Sequence, residues 1–218
     1  MIDKKYITHQ REPFFDIAKE LIETDSIVLD IGPGDGSFAK YCNRTDFFLF
    51  EGNPDSAKRL KDKYPNTVQG RLPQLPFEDE MFDVIHMSHV IEHLQPQEVY
   101  DTLKELDRCC KVGGVIVISA PLLWSGFYDD LSHIKPYPPE SFVKYLTKLG
   151  RNPTRASISE QYSVERIQYR YGPLNENIRF RRESKFVQKI LYKLGTLIRL
   201  SESLFTKTGY TLVLRKSS

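Results

Sequence analysis

Val28-Leu29-Asp30-Ile31-Gly32-Pro33-Gly34-Asp35-Gly36-Ser37-Phe38 decides how this chain folds. Apolar residues lead into three glycines at alternate positions, and helix-compatible residues follow. This is the pattern of a buried strand running straight into a tight turn. Glycine lets the backbone take positive φ and leaves room for a ligand against the main chain. Such a turn at the carboxyl end of the first strand of an α/β sheet is where these folds bind a nucleotide-like ligand. The spacing D-x-G-x-G-x-G is neither the dinucleotide G-x-G-x-x-G nor the phosphate-binding G-x-x-x-x-G-K-[ST].

Strands and helices alternate outward from this turn. Phe14, Ile17, Ala18 and Leu21 share one face of a helix over 13–23. The first strand covers 26–31 and a helix 36–43. Phe47 to Glu51 reads as a second buried strand ending in an acid, and Asn53-Pro54 opens a helix over 54–63. A weak third strand at 66–69 is followed by Pro73 and Pro76, which break the segment. Phe82 to Met87 is a fourth strand, 97–110 a helix, Gly113-Gly114 a turn, and Val115 to Ala120 a fifth strand. This alternation predicts a parallel sheet with right-handed crossovers.

Beyond residue 120 the rhythm changes. Residues 121–138 combine aromatics and prolines with one histidine, which suggests a loop over the ligand face. Pro139 to Leu149 reads as a helix stopped by Gly150. Tyr162 to Arg170 and Tyr210 to Arg215 are the final expected strands. Between them, 184–205 has the pattern of a basic amphipathic helix, with Phe186, Ile190, Leu194 and Leu197 opposite Lys185, Lys189, Lys193 and Arg199.

The length of 218 residues suits one α/β domain with an elaboration. A net charge of +2 is too small to argue for nucleic acid. Cys42, Cys109 and Cys110 are an odd number with two adjacent, which points to reduced thiols in a cytoplasmic protein rather than a disulfide framework. No signal peptide or membrane-length apolar run is evident.

Five motifs in order resemble the class I S-adenosylmethionine-dependent methyltransferases over roughly residues 25–150. They are 28–36; Glu51 closing the second strand; Leu75-Pro76-Phe77-Glu78-Asp79-Glu80-Met81-Phe82-Asp83-Val84-Ile85; Ser88-His89-Val90-Ile91-Glu92-His93-Leu94; and Leu106 to Pro121. The resemblance implies a Rossmann-like, doubly wound, mostly parallel seven-strand sheet. The whole chain, 1–218, then forms one domain with a small lid from 121–138 and 174–208. It also implies S-adenosyl-L-methionine as cofactor.

The donor has an amino-acid end, a sulfonium and a nucleoside. Main-chain N–H groups of Gly32, Gly34 and Gly36 are expected at its carboxylate, and Asp30 either at its α-ammonium or bracing the loop. Glu51, 21 residues after Asp30, is expected to accept from both ribose hydroxyls. Gly52, Asn53, Arg71, Leu72, Ser88 and His89 complete the expected lining. Arg71 stands where relatives often have an acid for the adenine amine, so adenine would be held by main chain and by Leu72.

Three histidines near the fourth strand, His86, His89 and His93, invite a metal reading. Only His89 and His93 have i,i+4 spacing, and no adjacent acid or cysteine pattern completes a site, so no metal is expected. His86 reads as structural, and His89 as a cofactor or substrate contact. In Tyr128-Asp129-Asp130-Leu131-Ser132-His133-Ile134-Lys135-Pro136-Tyr137, the pair Asp130 and His133 resembles a stretch found in family members acting on small molecules and sugars. A hydroxyl acceptor must lose a proton, and a histidine suits that work. His133 oriented by Asp130 is therefore the expected base; the alternative is that both brace the loop. Trp124, Phe127, Tyr128 and Tyr137 line an acceptor pocket or form lid core. The helix at 184–205 has either a solvated basic face or one for an anionic lipid or lipid-linked acceptor.

The expected function is O-methylation of a small molecule such as a saccharide or another envelope or secondary metabolite. The rivals are a protein or nucleic-acid methyltransferase and a non-catalytic S-adenosylmethionine-binding protein. Ser88-His89-Val90-Ile91 lacks the Asn/Asp-Pro-Pro-Tyr/Phe motif expected of an amino-group enzyme.

Overall fold

The computed structural model describes residues 2–149, 154–173 and 205–217. Its strands are β1 (Val28–Ile31), β2 (Phe48–Glu51), β3 (Thr67–Gln69), β4 (Phe82–Ser88), β5 (Cys110–Pro121), β6 (Tyr162–Pro173) and β7 (Phe205–Lys216). They form one sheet in the order β3-β2-β1-β4-β5-β7-β6. Strands β1 to β5 pair in parallel, and β7 and β6 add antiparallel. The helices are α1 (Glu12–Lys19), α2 (Ser37–Tyr41), α3 (Pro54–Lys61), α4 (Pro96–Cys109) and α5 (Pro139–Leu146).

The sheet is buried on both faces because alternate strand residues feed two cores. Leu29, Ile31, Ile85, Met87, Ile116 and Ile118 pack on one side with Leu103 and Leu106 of α4 and Phe142 of α5. Val28, Val84, Val115 and Val117 pack on the other with Phe14, Phe15 and Ile17 of α1 and Phe38 of α2. Each fully buried side chain of this size contributes about 1.5–3 kcal/mol relative to exposure. Proline opens α3, α4 and α5, where a missing N–H costs nothing. Arg108 of α4 donates to the Leu75 and Phe77 carbonyls and pairs with Glu105 and Asp79. The 75–79 stretch is thus tied down as a structural element.

Several boundaries differ from the sequence expectation. Helix α1 ends early, because Leu21 and Ile22 bond back three residues instead of four. The expected turn at Gly113-Gly114 is an irregularity inside β5, where the register against β4 shifts and Gly113 takes φ +83°. Helix α5 stops at Leu146, after which Thr147 bridges to Gln161. The β6–β7 ladder is longer than expected and reaches Pro173 opposite Phe205. Residues 205–208, expected in the lid, are therefore strand. The rest of that expected lid segment, and the basic helix but for Phe205, lie outside the described residues. Among the described residues no helix is long and apolar enough to cross a membrane.

Candidate functional site

The glycine turn leaves β1 beside the carboxyl ends of β2 and β4. Gly32 N–H donates to the Phe50 carbonyl at 2.9 Å, continuing the ladder one residue past β1. Gly32, Gly34 and Gly36 all have φ between +60° and +77°, a region that side chains disfavour. Their surroundings differ. A Cβ on Gly32 would lie 2.4 Å from Val90 Cγ2, and one on Gly36 2.8 Å from Tyr64 Cε2. At Gly34 nothing lies within 4 Å. Two glycines therefore serve packing and one faces open space.

Asp30 and His86 are register partners on β1 and β4. Asp30 is 2% exposed, and its Oδ1 lies 2.7 Å from His86 Nδ1. The His86 ring stacks on Phe38 with centroids 3.9 Å apart. His86 is thus structural, as expected. Asp30 Oδ2 is buried without a hydrogen-bond partner, so one carboxylate oxygen remains beneath the turn for a donor from elsewhere.

Glu51 ends β2 with its carboxylate partly exposed, and Oε1 accepts from Asn53 N–H at 2.8 Å. Asn53 Oδ1 caps α3, accepting from the amides of Asp55 and Ser56, so this side chain is occupied by the helix. A Cβ on Gly52 would make only ordinary contact with the Gly70 carbonyl. Arg71 is exposed, while Leu72 packs half-buried against the core.

The carboxyl end of β4 holds a cluster only partly anticipated. His89 has φ +56°, and its N–H donates to the Ser119 carbonyl at 2.9 Å; a non-glycine residue in this conformation is uncommon and carries strain. His89 Nδ1 lies 3.1 Å from Oε1 of Glu92, which is fully buried. His89 Nε2 lies 3.4 Å from Arg170 Nη1. A guanidinium only donates. Nε2 is therefore the unprotonated nitrogen, and Nδ1 carries the proton toward Glu92. Burial lowers the His89 pKa below its ordinary value, against the opposing pull of Glu92. Burial also depresses Arg170, to about 10, and its guanidinium lies over the Phe14 ring. Glu92 and Arg170 were not expected from the sequence. Glu92 was legible only as an acid beside two histidines, and Arg170 is 81 residues from its partner.

The Asp130–His133 pairing expected from the sequence takes another form. Asp130 Oδ1 accepts from the amide and hydroxyl of Ser132, which lower its pKa. The His133 ring is instead oriented by the Phe127 carbonyl, 2.6 Å from Nδ1. A short turn so near the histidine satisfies the aspartate locally, as aspartates in turns do. Phe127 and Tyr137 are buried, with Tyr137 packed in the main core and donating to the Leu94 carbonyl. Trp124 lies against His9, and Tyr128 is exposed. Burial pushes the Cys109 and Cys110 thiols up to about 11 and about 12, which removes them as thiolate nucleophiles.

Comparison with known proteins gives this geometry a context. Residues 29–118 match the family model of a methyltransferase domain. A malonyl-[acyl-carrier protein] O-methyltransferase of Herminiimonas arsenicoxydans is 34% identical over 108 residues, 48% of this chain and 40% of that protein. The chain thus spans less than half the length of this curated relative. The crystal structure of a SAM-dependent methyltransferase from Archaeoglobus fulgidus superposes with a TM-score of 0.60 at 23% identity, covering 98% of this chain and 97% of the other. The [4+2]-cyclase SpnF superposes with a TM-score of 0.61 at 13% identity, covering 94% and 81%. These structural likenesses are of fold. Residues 29–118 are thus similar to a methyltransferase domain, and the chain shares the fold of S-adenosylmethionine-dependent methyltransferases.

Proposed function

We propose that this protein transfers a methyl group from S-adenosylmethionine to an oxygen of a small-molecule acceptor. The residues present fit the donor. Gly34 faces open space where a ligand can lie against the main chain, and Asp30 Oδ2 is a buried acceptor without a donor. The turn at 32–36 would hold the methionyl end, and Glu51 Oε2 the ribose hydroxyls; Ser88 and His89 would line the side nearest the acceptor. Bound there, the donor supplies a methyl group on a sulfonium sulfur.

The observation that carries the oxygen reading is the His89–Glu92 pair. A hydroxyl must give up its proton as it becomes the nucleophile. His89 is held neutral by burial, its Nδ1–H is fixed on a buried carboxylate, and its Nε2 bears a lone pair that accepts from Arg170 until an acceptor hydroxyl takes that place. That is the protonation state a general base needs near neutral pH. The curated relative is itself named an O-methyltransferase. The stretch 129–136, which resembles one in family members acting on small molecules and sugars, favours a saccharide or a related envelope or secondary metabolite as acceptor. Positioning the two reactants supplies much of the rate in such transfers, so His89→Asn should lower turnover while leaving a measurable residue.

The test is a turnover screen of small hydroxyl and amine acceptors, following S-adenosylhomocysteine release. Acceptor-dependent release with hydroxyl compounds supports the reading. Release with amines alone refutes oxygen as the acceptor atom. Donor binding with no release for any acceptor supports a binding protein instead, a result worth distinguishing because this fold also carries a [4+2]-cyclase.

A further inference from the structure

We infer that Glu92, His93 and His133 bind a divalent first-row transition-metal ion. One potential ligand atom from each residue lies within 4.8 Å of the others. Donors about 2.1 Å from one ion can be at most about 4.2 Å apart, so small side-chain rotations close the cluster.

Three observations show that it is built for a cation. First, Glu92 is fully buried and its Oε2 has no hydrogen-bond partner, although Oε1 is taken by His89. A buried carboxylate oxygen left bare is costly, and a cation removes that cost. Second, His93 Nδ1 lies 3.1 Å from the Ser132 carbonyl and His133 Nδ1 2.6 Å from the Phe127 carbonyl. A carbonyl only accepts, so each Nδ1 carries the ring proton and each Nε2 keeps its lone pair. Metal-bound histidines are usually oriented in this way. Third, the main chain joins the two halves. Ile134 N–H donates to the Glu92 carbonyl at 2.8 Å, which fixes the 130–135 loop against the turn that carries Glu92 and His93. The two rings are 5.0 Å apart. Two imidazoles and one carboxylate suit zinc, iron(II) or cobalt(II) better than magnesium or calcium, which prefer all-oxygen sites.

Three protein ligands leave at least one position open, as in metal sites that act on a substrate. Under the methyl-transfer reading proposed above, on which this role but not the binding itself rests, an acceptor oxygen at that position would become more acidic. His89, sharing Glu92 with the ion, would then take its proton. The sequence expectation of no metal weighed His86, His89 and His93, and His133 lies 40 residues beyond the nearest of these.

The experiment uses chelator-treated, full-length protein titrated with Zn²⁺ by calorimetry, and with Co²⁺ by visible absorption. One ion per chain is expected, with cobalt bands showing nitrogen ligation. Losing even an outer-shell partner costs roughly 10–100-fold in affinity, so His133→Asn and His93→Asn should each cost at least that. Glu92→Gln should do the same if it folds; the two histidines are less buried and keep the test open if it does not. S-adenosylmethionine affinity of the two histidine variants, measured on the same samples, should not change, which separates failure of the metal site from failure of the donor site. Folded wild-type protein that takes up neither ion, or binding unaffected by both histidine variants, overturns the assignment.

Discussion

Replacing Gly34 with alanine adds one methyl group at φ +60° in a space with no heavy atom within 4 Å. The left-handed backbone costs a side chain about 1–2 kcal/mol. Reduced freedom of the unfolded chain returns about 0.4–1 kcal/mol. The net loss is about 1 kcal/mol, or roughly 2–4 °C in melting temperature for a chain of this size. Gly36→Ala has the same backbone cost, but its Cβ would also meet Tyr64 at 2.8 Å and Leu60 at 3.2 Å. Overpacking of this kind adds about 1–3 kcal/mol. Gly34→Ala should therefore be the milder change by scanning calorimetry. Its backbone strain is present with and without ligand, so it cancels in binding. Any loss of S-adenosylmethionine affinity then reports on the space the methyl group fills. Titration calorimetry should show at least a tenfold loss, about 1.4 kcal/mol. A folded Gly34→Ala protein that binds the donor as tightly as wild type would refute the placement of the ligand over this turn.

Two further perturbations probe the rest of the site. Glu51→Ala should weaken donor binding by about 1–3 kcal/mol, the scale of hydrogen bonds to a charged group, with little change in stability because the carboxylate is partly exposed. The buried His89, its pKa held below the ordinary 6.5, gives a signed pH effect. Below pH 6.5 the unfolded chain takes up a proton that the folded chain refuses. Stability should fall as pH drops from 6.5 to the folded pKa, by up to about 1.4 kcal/mol per pH unit. Urea unfolding of His89→Asn should lack that share of the slope, and the acid limb of turnover should lie below pH 6.5.

The sheet was legible because its strands are apolar runs or alternations bounded by glycine, proline and asparagine. Val115 to Ala120 and Phe82 to Met87 can only be central strands. The ends of β6 and β7 were not legible. Thr206 and Lys207 pair by main chain in an antiparallel ladder, with Thr208 left over at a register shift, and these side chains carry no apolar pattern. The features on which the donor reading rests were readable because a glycine turn and a strand-end acid are local signals. The cluster around His89 is assembled from distant segments: Arg170 reaches His89 across the β7–β6 extension, and the 130–135 loop docks on Glu92. Asp130 shows the opposite failure. Its spacing to His133 looked like a pair, and the nearer Ser132 amide took the carboxylate.

The most direct test of the account is a crystal structure with S-adenosylhomocysteine. The amino-acid end is expected against main-chain N–H groups of residues 32–36, the ribose hydroxyls within hydrogen-bond distance of Glu51, and the sulfur facing Ser88 and His89. Ligand bound elsewhere, or bound here with Glu51 turned away from the ribose, would contradict it.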